Sequence, residues 1–380
     1  MRFAKIIFAV LALLCLCLPG AWAENGQGEA PRAPERPLRV AYIEGGPYTD
    51  YQKILLGFIS GLAQLGGIDN GVVPTPEDGE STAGIWQWLC ANAGGKFFEF
   101  VPDAYYSAGW DDAAFAGQRR ALVDRLNKTK DIDLVLSFGT LAGQGLATDE
   151  HKIPVAVLSV TDAVAAGIVS SYEDSGRDNV FAMVEPGRYY RQVVLFHDIF
   201  HFKRLGIAYE DTPAGRASAA LADIERAAAD LDFELVTCTD SFNFPEAAPA
   251  VANLIACHEK LAEEGVDAVY ITVNMGMQTQ AMPQLMRPLL DRRIPTFSQN
   301  GVDEVKNGVL LSISQADFSG QGLFAARAVL NIARGQLPRA QSQIYEEAMS
   351  LAVNLHTAMV IGWNPSLAVL AAVDEIYQAQ

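Results

Sequence analysis

The chain has 380 residues, half of them apolar and 19% charged, with a formal net charge of −17. That composition excludes a disordered chain and is enough for two domains, each with its own core. The acidic balance, with no basic run to offset it, excludes nucleic acid and anionic membrane surfaces as partners.

Arg2 and Lys5 open the chain, and the apolar stretch 6–18 that follows is too short to span a bilayer. Pro19-Gly20 breaks it, and Ala21 and Ala23 place small residues at −3 and −1 of a cleavage point before Glu24. This pattern predicts a secretory signal peptide over 1–23, and hence a periplasmic or otherwise secreted protein. Cys15 and Cys17 each follow a leucine, which argues against a lipoprotein signal. Residues 24–37, rich in Gly, Pro and charge, read as a flexible leader.

Beyond the leader, short apolar strands alternate with helical stretches. Strands are expected at 38–43, 132–137, 153–159, 204–209, 233–237, 266–272, 294–298 and 308–314. Helices are expected at 51–65, 186–201, 214–230, 247–264, 278–290 and 318–334. The alternation predicts an α/β fold with parallel sheets covered on both faces. One set of strands ends near Ser159 and a second begins near Val180, after the polar segment S-S-Y-E-D-S-G-R-D-N. Two lobes joined by a hinge follow from that break. Residues 66–115 fit neither set; they read as an insertion or a lid whose aromatics, Trp86, Trp88, Tyr105, Tyr106 and Trp110, form local core.

Export puts the mature chain in an oxidising compartment. Cys238 closes a strand-like run and Cys257 lies in a helix-like one, so a Cys238–Cys257 disulfide is expected, with Cys90 left over and buried.

The stretch L-S-F-G-T-L-A-G-Q-G (136–145) has the look of a phosphate cradle, but its glycine spacing matches neither nucleotide motif and no lysine follows. What remains is a strand, a glycine turn and a helix start whose free amides can hold a polar group. S-V-T-D (159–162), E-D-T-P (210–213), T-V-N-M-G-M (272–277) and F-S-Q-N-G (297–301) repeat the arrangement. Ligands of open α/β sheets sit beyond the carboxyl ends of strands, so these loops together predict a cleft. H-D-I-F-H (197–201) puts His197 and His201 on one helix face, a metal-site pattern lacking an evident third ligand. No nucleophile motif is present, and no catalytic residue, metal or cofactor is expected.

The segments S-F-G-T (137–140), I-P-V-A-V-L-S-V-T-D (153–162), I-P-T-F-S-Q-N-G-V-D-E-V-K-N-G-V-L-L-S-I-S-Q-A-D-F-S-G-Q-G (294–322), I-A-R-G-Q-L-P (332–338) and L-A-V-N-L-H-T-A-M-V-I-G-W-N-P (351–365) occur in this order. Together they resemble the substrate-binding proteins of ABC transporters, in the tryptophan/tyrosine-binding group. The resemblance covers roughly 130–380. It implies a type I periplasmic-binding-protein fold of two Rossmann-like lobes, with crossings near 170, 312 and 348. Lobe one would be 38–170 plus 312–348, and lobe two 171–311 plus 349–380. Gly139 and Thr140 would hold a carboxylate, flanked by Thr161 and Asp162 and faced by Asn274 and Gln299. Relatives often carry an acid where Asn274 stands; Asp162, Glu44 or Asp211 would replace that charge. Gly45, Tyr48, Met275 and Gln315 complete the expected binding set. The implied function is a monomeric solute-binding protein that clamps a small polar or aromatic, amino-acid-like solute and hands it to an ABC permease. The alternatives are a sensor module for a membrane receptor and a secreted metallohydrolase built on the H-D-I-F-H segment.

Overall fold

A computed structural model describes residues 33–74, 76, 79–244, 246–315, 318–346 and 349–378. The expected signal peptide lies outside the described residues, as does most of the expected leader. Among the described residues no helix is long and apolar enough to cross a membrane.

The first apolar run forms β1 (Leu38–Glu44), followed by α1 (Thr49–Gln64), α2 (Ala83–Asn92), β2 (Phe98–Ser107), α3 (Asp112–Asp124), β3 (Leu134–Phe138), α4 (Gly139–Leu146), β4 (Val155–Leu158) and β5 (Val180–Ala182). These strands make a parallel sheet in the order β2-β1-β3-β4-β5. Every residue of β3, β4 and β5 is buried, as continuous apolar strands covered on both faces must be. Alternate residues serve two cores. Val40, Tyr42, Leu134 and Leu136 pack under α1 and α2, and Ala41, Ile43, Val135 and Val157 under α3 and α4.

The second half forms α5 (Arg188–Phe200), β6 (Arg204–Tyr209), α6 (Pro213–Ser218), α7 (Leu221–Leu231), β7 (Glu234–Thr239), α8 (Ala247–Glu263), β8 (Ala268–Ile271), α9 (Met282–Asp291), β9 (Thr296–Ser298), α10 (Val302–Lys306), β10 (Leu311–Gln315), α11 (Ser319–Ala333), β11 (Met349–Asn354), α12 (Leu355–Ile361), α13 (Leu367–Ala372) and β12 (Glu375–Tyr377). Its sheet runs β12-β11-β10-β9-β8-β6-β7, with β11 antiparallel to β10. The result is two α/β lobes with hinge-like connections, the architecture the resemblance implies.

Several elements differ from expectation. The segment 66–115 supplies α2 and the edge strand β2, so it is part of the first lobe and not a lid. Trp86 is fully buried against Tyr42, Phe100 and Tyr105, local core as expected. The register between β1 and β2 jumps between Val40 and Tyr42, and Pro102 sits in the displaced stretch, where an edge strand tolerates a missing N–H. The helix expected over 214–230 breaks at Ala220, whose φ is 52°, into α6 and α7. β5 joins the first sheet, so the chain leaves that lobe after Ala182 rather than near 170. β10 pairs with β9 and β11, so the return comes after Gln315 and not at 312. α11 then packs back on α1 in near backbone contact. A Cβ on Gly322 would lie 2.0 Å from the Gly57 carbonyl carbon.

Cys238 in β7 and Cys257 in α8 form the expected disulfide, S–S 2.05 Å. Cys90 is half-buried rather than buried, and burial pushes its thiol up to about 11, which leaves it unreactive.

Candidate functional site

Each parallel strand delivers its following loop to the same edge of its sheet. The two loop-bearing edges enclose a cavity of about 570 Å³, within the size range of small-molecule sites. The first lobe contributes Tyr48, Asp50 and Tyr51 after β1, Trp110 and Phe115 after β2, Thr140 and Gln144 from α4, and Ser159 and Thr161 after β4. Glu185, Arg188 and Tyr189 line it from the crossing after β5, with Gln321 from α11. The second lobe contributes Glu210 and Thr212 to Gly215 after β6, Phe242 and Asn243 after β7, Val273 to Met275 after β8, and Gln299 and Asn300 after β9.

Side chains from the two lobes also meet across the cleft. The Tyr48 hydroxyl donates to Asn300 Oδ1 at 2.7 Å, and Asn243 Nδ2 donates to Asp112 Oδ1 at 2.9 Å. Lys53 pairs with Asp303. Beside that seam, burial pushes the Glu304 carboxyl up to about 7, although Ser298 donates to it at 2.6 Å.

Among the described residues, the cation that lines the cavity is Arg188. Its guanidinium pairs with Glu185 at 3.1 Å and lies 5.3 Å from the Tyr189 ring centroid. Glu185 also accepts from Gln321 Nε2 at 2.9 Å. Glu210 accepts backbone N–H groups of Phe242 and Asn243 at 3.1 and 3.2 Å. Burial in the cavity wall pushes Asp50 up to about 6, an effect that Lys53 and Arg188 partly offset. Aromatic rings line the same cavity: Tyr48 meets Tyr51 edge-on at 5.2 Å, and Tyr51 meets Trp110 at 6.3 Å.

Of the residues expected from sequence, Tyr48, Thr140, Thr161, Asn274, Met275 and Gln299 line this cavity. Tyr48 is already engaged by Asn300, and two others are held within their own lobe. Gln299 donates to the Ser218 carbonyl at 2.8 Å and accepts from Val273 N–H at 3.0 Å. Asn274 donates to the Thr272 carbonyl and accepts from Gly276 N–H, bracing its own loop. Five others lie elsewhere. Glu44 is fully buried behind the cavity, where it accepts hydroxyl donors from Tyr42 (2.5 Å), Thr82 (2.9 Å), Ser107 (2.8 Å) and Tyr105 (3.3 Å). Gly45 lies beneath Trp110, and a Cβ there would come within 3.0 Å of that ring. Gly139 has φ +85° and lies under Tyr51, whose hydroxyl a Cβ would meet at 1.8 Å; only glycine fits. Asp162 caps its own turn through Val164 and Ala165 N–H. Asp211 pairs with Arg216 at 2.6 Å on the surface. The Gln315 side chain lies outside the described residues.

Sequence reasoning missed Asp50, Trp110, Glu185 and Arg188. E-P-G-R follows β5, a strand too short to register as one, so its loop carried no strand-end signal. Asp50 reads from sequence as an ordinary acid in a first helical turn. His197, for its part, packs against Phe202 and Phe233. Among the described residues no group of three His, Cys, Asp or Glu could hold a metal, so H-D-I-F-H gains no third ligand there.

The family model described as "ABC transporter substrate binding protein" matches residues 108–375. No curated protein matches the chain. Among solved structures, a conserved domain protein from Vibrio cholerae is similar at 21% identity and TM-score 0.65, covering 90% of this chain and 99% of that one. A Streptococcus pneumonia ABC domain in complex with L-Trp is similar at 17% identity and TM-score 0.61, covering 89% and 99%. A substrate binding protein with adhesive properties from Clostridium difficile, in a ligand-free open structure, is similar at 15% identity and TM-score 0.55, covering 91% and 100%.

Proposed function

Since the chain belongs to the ABC transporter substrate-binding protein family, we propose that it is the exported receptor of an importer and clamps a small, amino-acid-like solute between its lobes. Members of this family are non-catalytic transport components, and this chain is not an enzyme.

The observation that carries the reading is the shared cavity, walled by strand-end loops of both sheets and holding Arg188 and Asp50 among aromatic rings. Opposite charges in a cavity that Tyr51 and Trp110 also line suit a solute with a polar head and an apolar body. Thr140 and Thr161 offer hydroxyls at the wall of the first lobe, and Phe242 and Met275 offer apolar surface from the second. The L-Trp held by the pneumococcal neighbour supports a solute of this kind. The Cys238–Cys257 disulfide supports an oxidising compartment.

The work of binding is closure. Moving two lobes from mostly open to mostly closed takes a preference of about 5.5 kcal/mol for the closed state. Micromolar affinity supplies about 8 kcal/mol, so no covalent step is needed. The permease then reads the closed form. A thermal-shift panel of amino acids, nucleosides and small acids, followed by small-angle scattering, tests this. A hit that raises the melting temperature and shrinks the radius of gyration is expected. No stabilisation by any class, with an unchanged radius, refutes it.

A further inference from the structure

Beside the cavity, the two lobes meet along a seam of opposed charges. α1 of the first lobe brings Asp50 and Lys53 to it, and α10 of the second brings Asp303 and Glu304. Lys53, Asp303 and Glu304 stand outside the cavity wall. The Lys53 ammonium crosses the seam to Asp303 and lies 5.2 Å from the centroid of the Phe318 ring, at the start of α11. Two further cations nearby pair on their own side: Lys306 with Asp303 within α10, and Arg188 with Glu185. Next to the ion pair, the Tyr48 hydroxyl donates to Asn300 Oδ1, and Asn300 Nδ2 donates to Glu304 at 3.4 Å. Burial pushes Glu304 up to about 7, and Asp50 and Asp303 add to the push. Burial likewise pushes Asp50 up to about 6, against Lys53 and Arg188 and with Asp303. The acids of the two lobes therefore oppose one another where the lobes touch.

We propose that Lys53 is the latch of the clamp: its ammonium offsets the repulsion between Asp50 on one lobe and Asp303 and Glu304 on the other, and so sets the balance between open and closed forms from outside the cavity wall. This rests on the two-lobed clamp read above and adds a positioning residue to it. A lone exposed ion pair is worth little. This one differs because its loss leaves three carboxylates facing one another with no cation reaching across. Glu304 and Asp50 are partly or wholly withdrawn from water, so salt and solvent screen them less than surface charges. Only the approach of the lobes brings these groups together. The energy of the arrangement therefore falls on the open–closed balance, and through it on the apparent affinity for any solute that the closed form holds.

The purified full chain, with no solute added, is measured by small-angle scattering at pH 8 in low salt. Lys53→Met keeps an apolar stem over Phe318 and removes the charge. It is expected to shift the open–closed ratio toward open by at least about fivefold and to raise the radius of gyration. Glu304→Gln removes one of the opposed charges and is expected to shift the ratio toward closed and lower the radius. One of the two therefore moves the radius whichever form the wild type favours, and Lys53→Arg is expected to match the wild type. Salt at 1 M shortens the screening length to about 3 Å and is expected to bring the variants together, which a packing role for Lys53 would not do. A radius that neither Lys53→Met nor Glu304→Gln moves, or a shift that 1 M salt leaves intact, overturns the latch. In that case a solute from the thermal-shift panel that still shrinks the wild type leaves the clamp standing, and a chain that no member of the panel stabilises or shrinks overturns both.

Discussion

The Cys238–Cys257 bridge clips the edge strand β7 to α8, and its removal has a calculable cost. The cysteines are 19 residues apart. In the chain-entropy model a loop of that length contributes about 3 kcal/mol by constraining the unfolded chain. The perturbation is the double substitution Cys238→Ala, Cys257→Ala, which leaves both buried sites apolar. The measurable shift depends on what unfolds as a unit. With an entropy of unfolding of about 2.1 cal/mol/K per residue, a second lobe of roughly 165 residues melting alone loses about 9 °C. If both lobes melt together, the same 3 kcal/mol is spread over about twice the entropy and the shift is about 4 °C. Differential scanning calorimetry of the oxidised wild type and the variant separates the cases, because independent lobes also give two resolved transitions. A shift below about 1 °C refutes the reasoning. The loop after β7 also carries Phe242 and Asn243 into the cavity wall. The variant is therefore expected to bind its solute more weakly as well.

Gly322→Ala drives a methyl to 2.0 Å from the backbone of α1 and forces the two helices apart. It is expected to destabilise by at least about 1–3 kcal/mol in a denaturant titration; an unchanged midpoint contradicts the backbone contact. Burial holds Glu304 at about 7, so its neutral form is favoured in the fold. The folded chain then binds more protons than the unfolded one between about pH 4.5 and 7, and this group's stability contribution falls as pH rises through that window, by up to about 3 kcal/mol. Glu304→Gln is expected to flatten that part of the stability profile and raise the melting temperature at pH 8; an unaltered profile contradicts it. For an amine-bearing solute, affinity is expected to fall about tenfold per pH unit below about 6, as Asp50 protonates. Lys53 and Arg188 favour its ionised form, and Asp303 and Glu304 oppose it. Calorimetry across pH 4–8 reads this directly, and a flat profile contradicts a part for Asp50 in binding.

Why some of this was legible in the sequence and some was not comes down to the range of the forces involved. β1, β3, β4, β6 and β8 announce themselves because a strand buried on both faces must be apolar throughout, and that is a local property. β2 hides behind Pro102, and β5 behind its three-residue length; both exist because a neighbouring strand offers its edge, which no local window contains. The site divides the same way. Thr140, Thr161 and Asn274 follow strands and so reach the cavity edge. Glu44 also ends a strand, yet it shares the face of Val40 and Tyr42, and the two-residue period of β1 turns it into the core instead of the cleft. Strand-end position therefore predicts a cleft residue only beyond the last paired residue, and Glu44 is still paired, with Ser107 and Phe138. Asp50 escapes both signals because what distinguishes it is the commitment of Lys53 to Asp303 and of Arg188 to Glu185. The first pairing spans about 250 residues, and the second, although its partners are only three residues apart, is brought near Asp50 only by the fold, so the electrostatic setting of Asp50 exists only once the chain has folded.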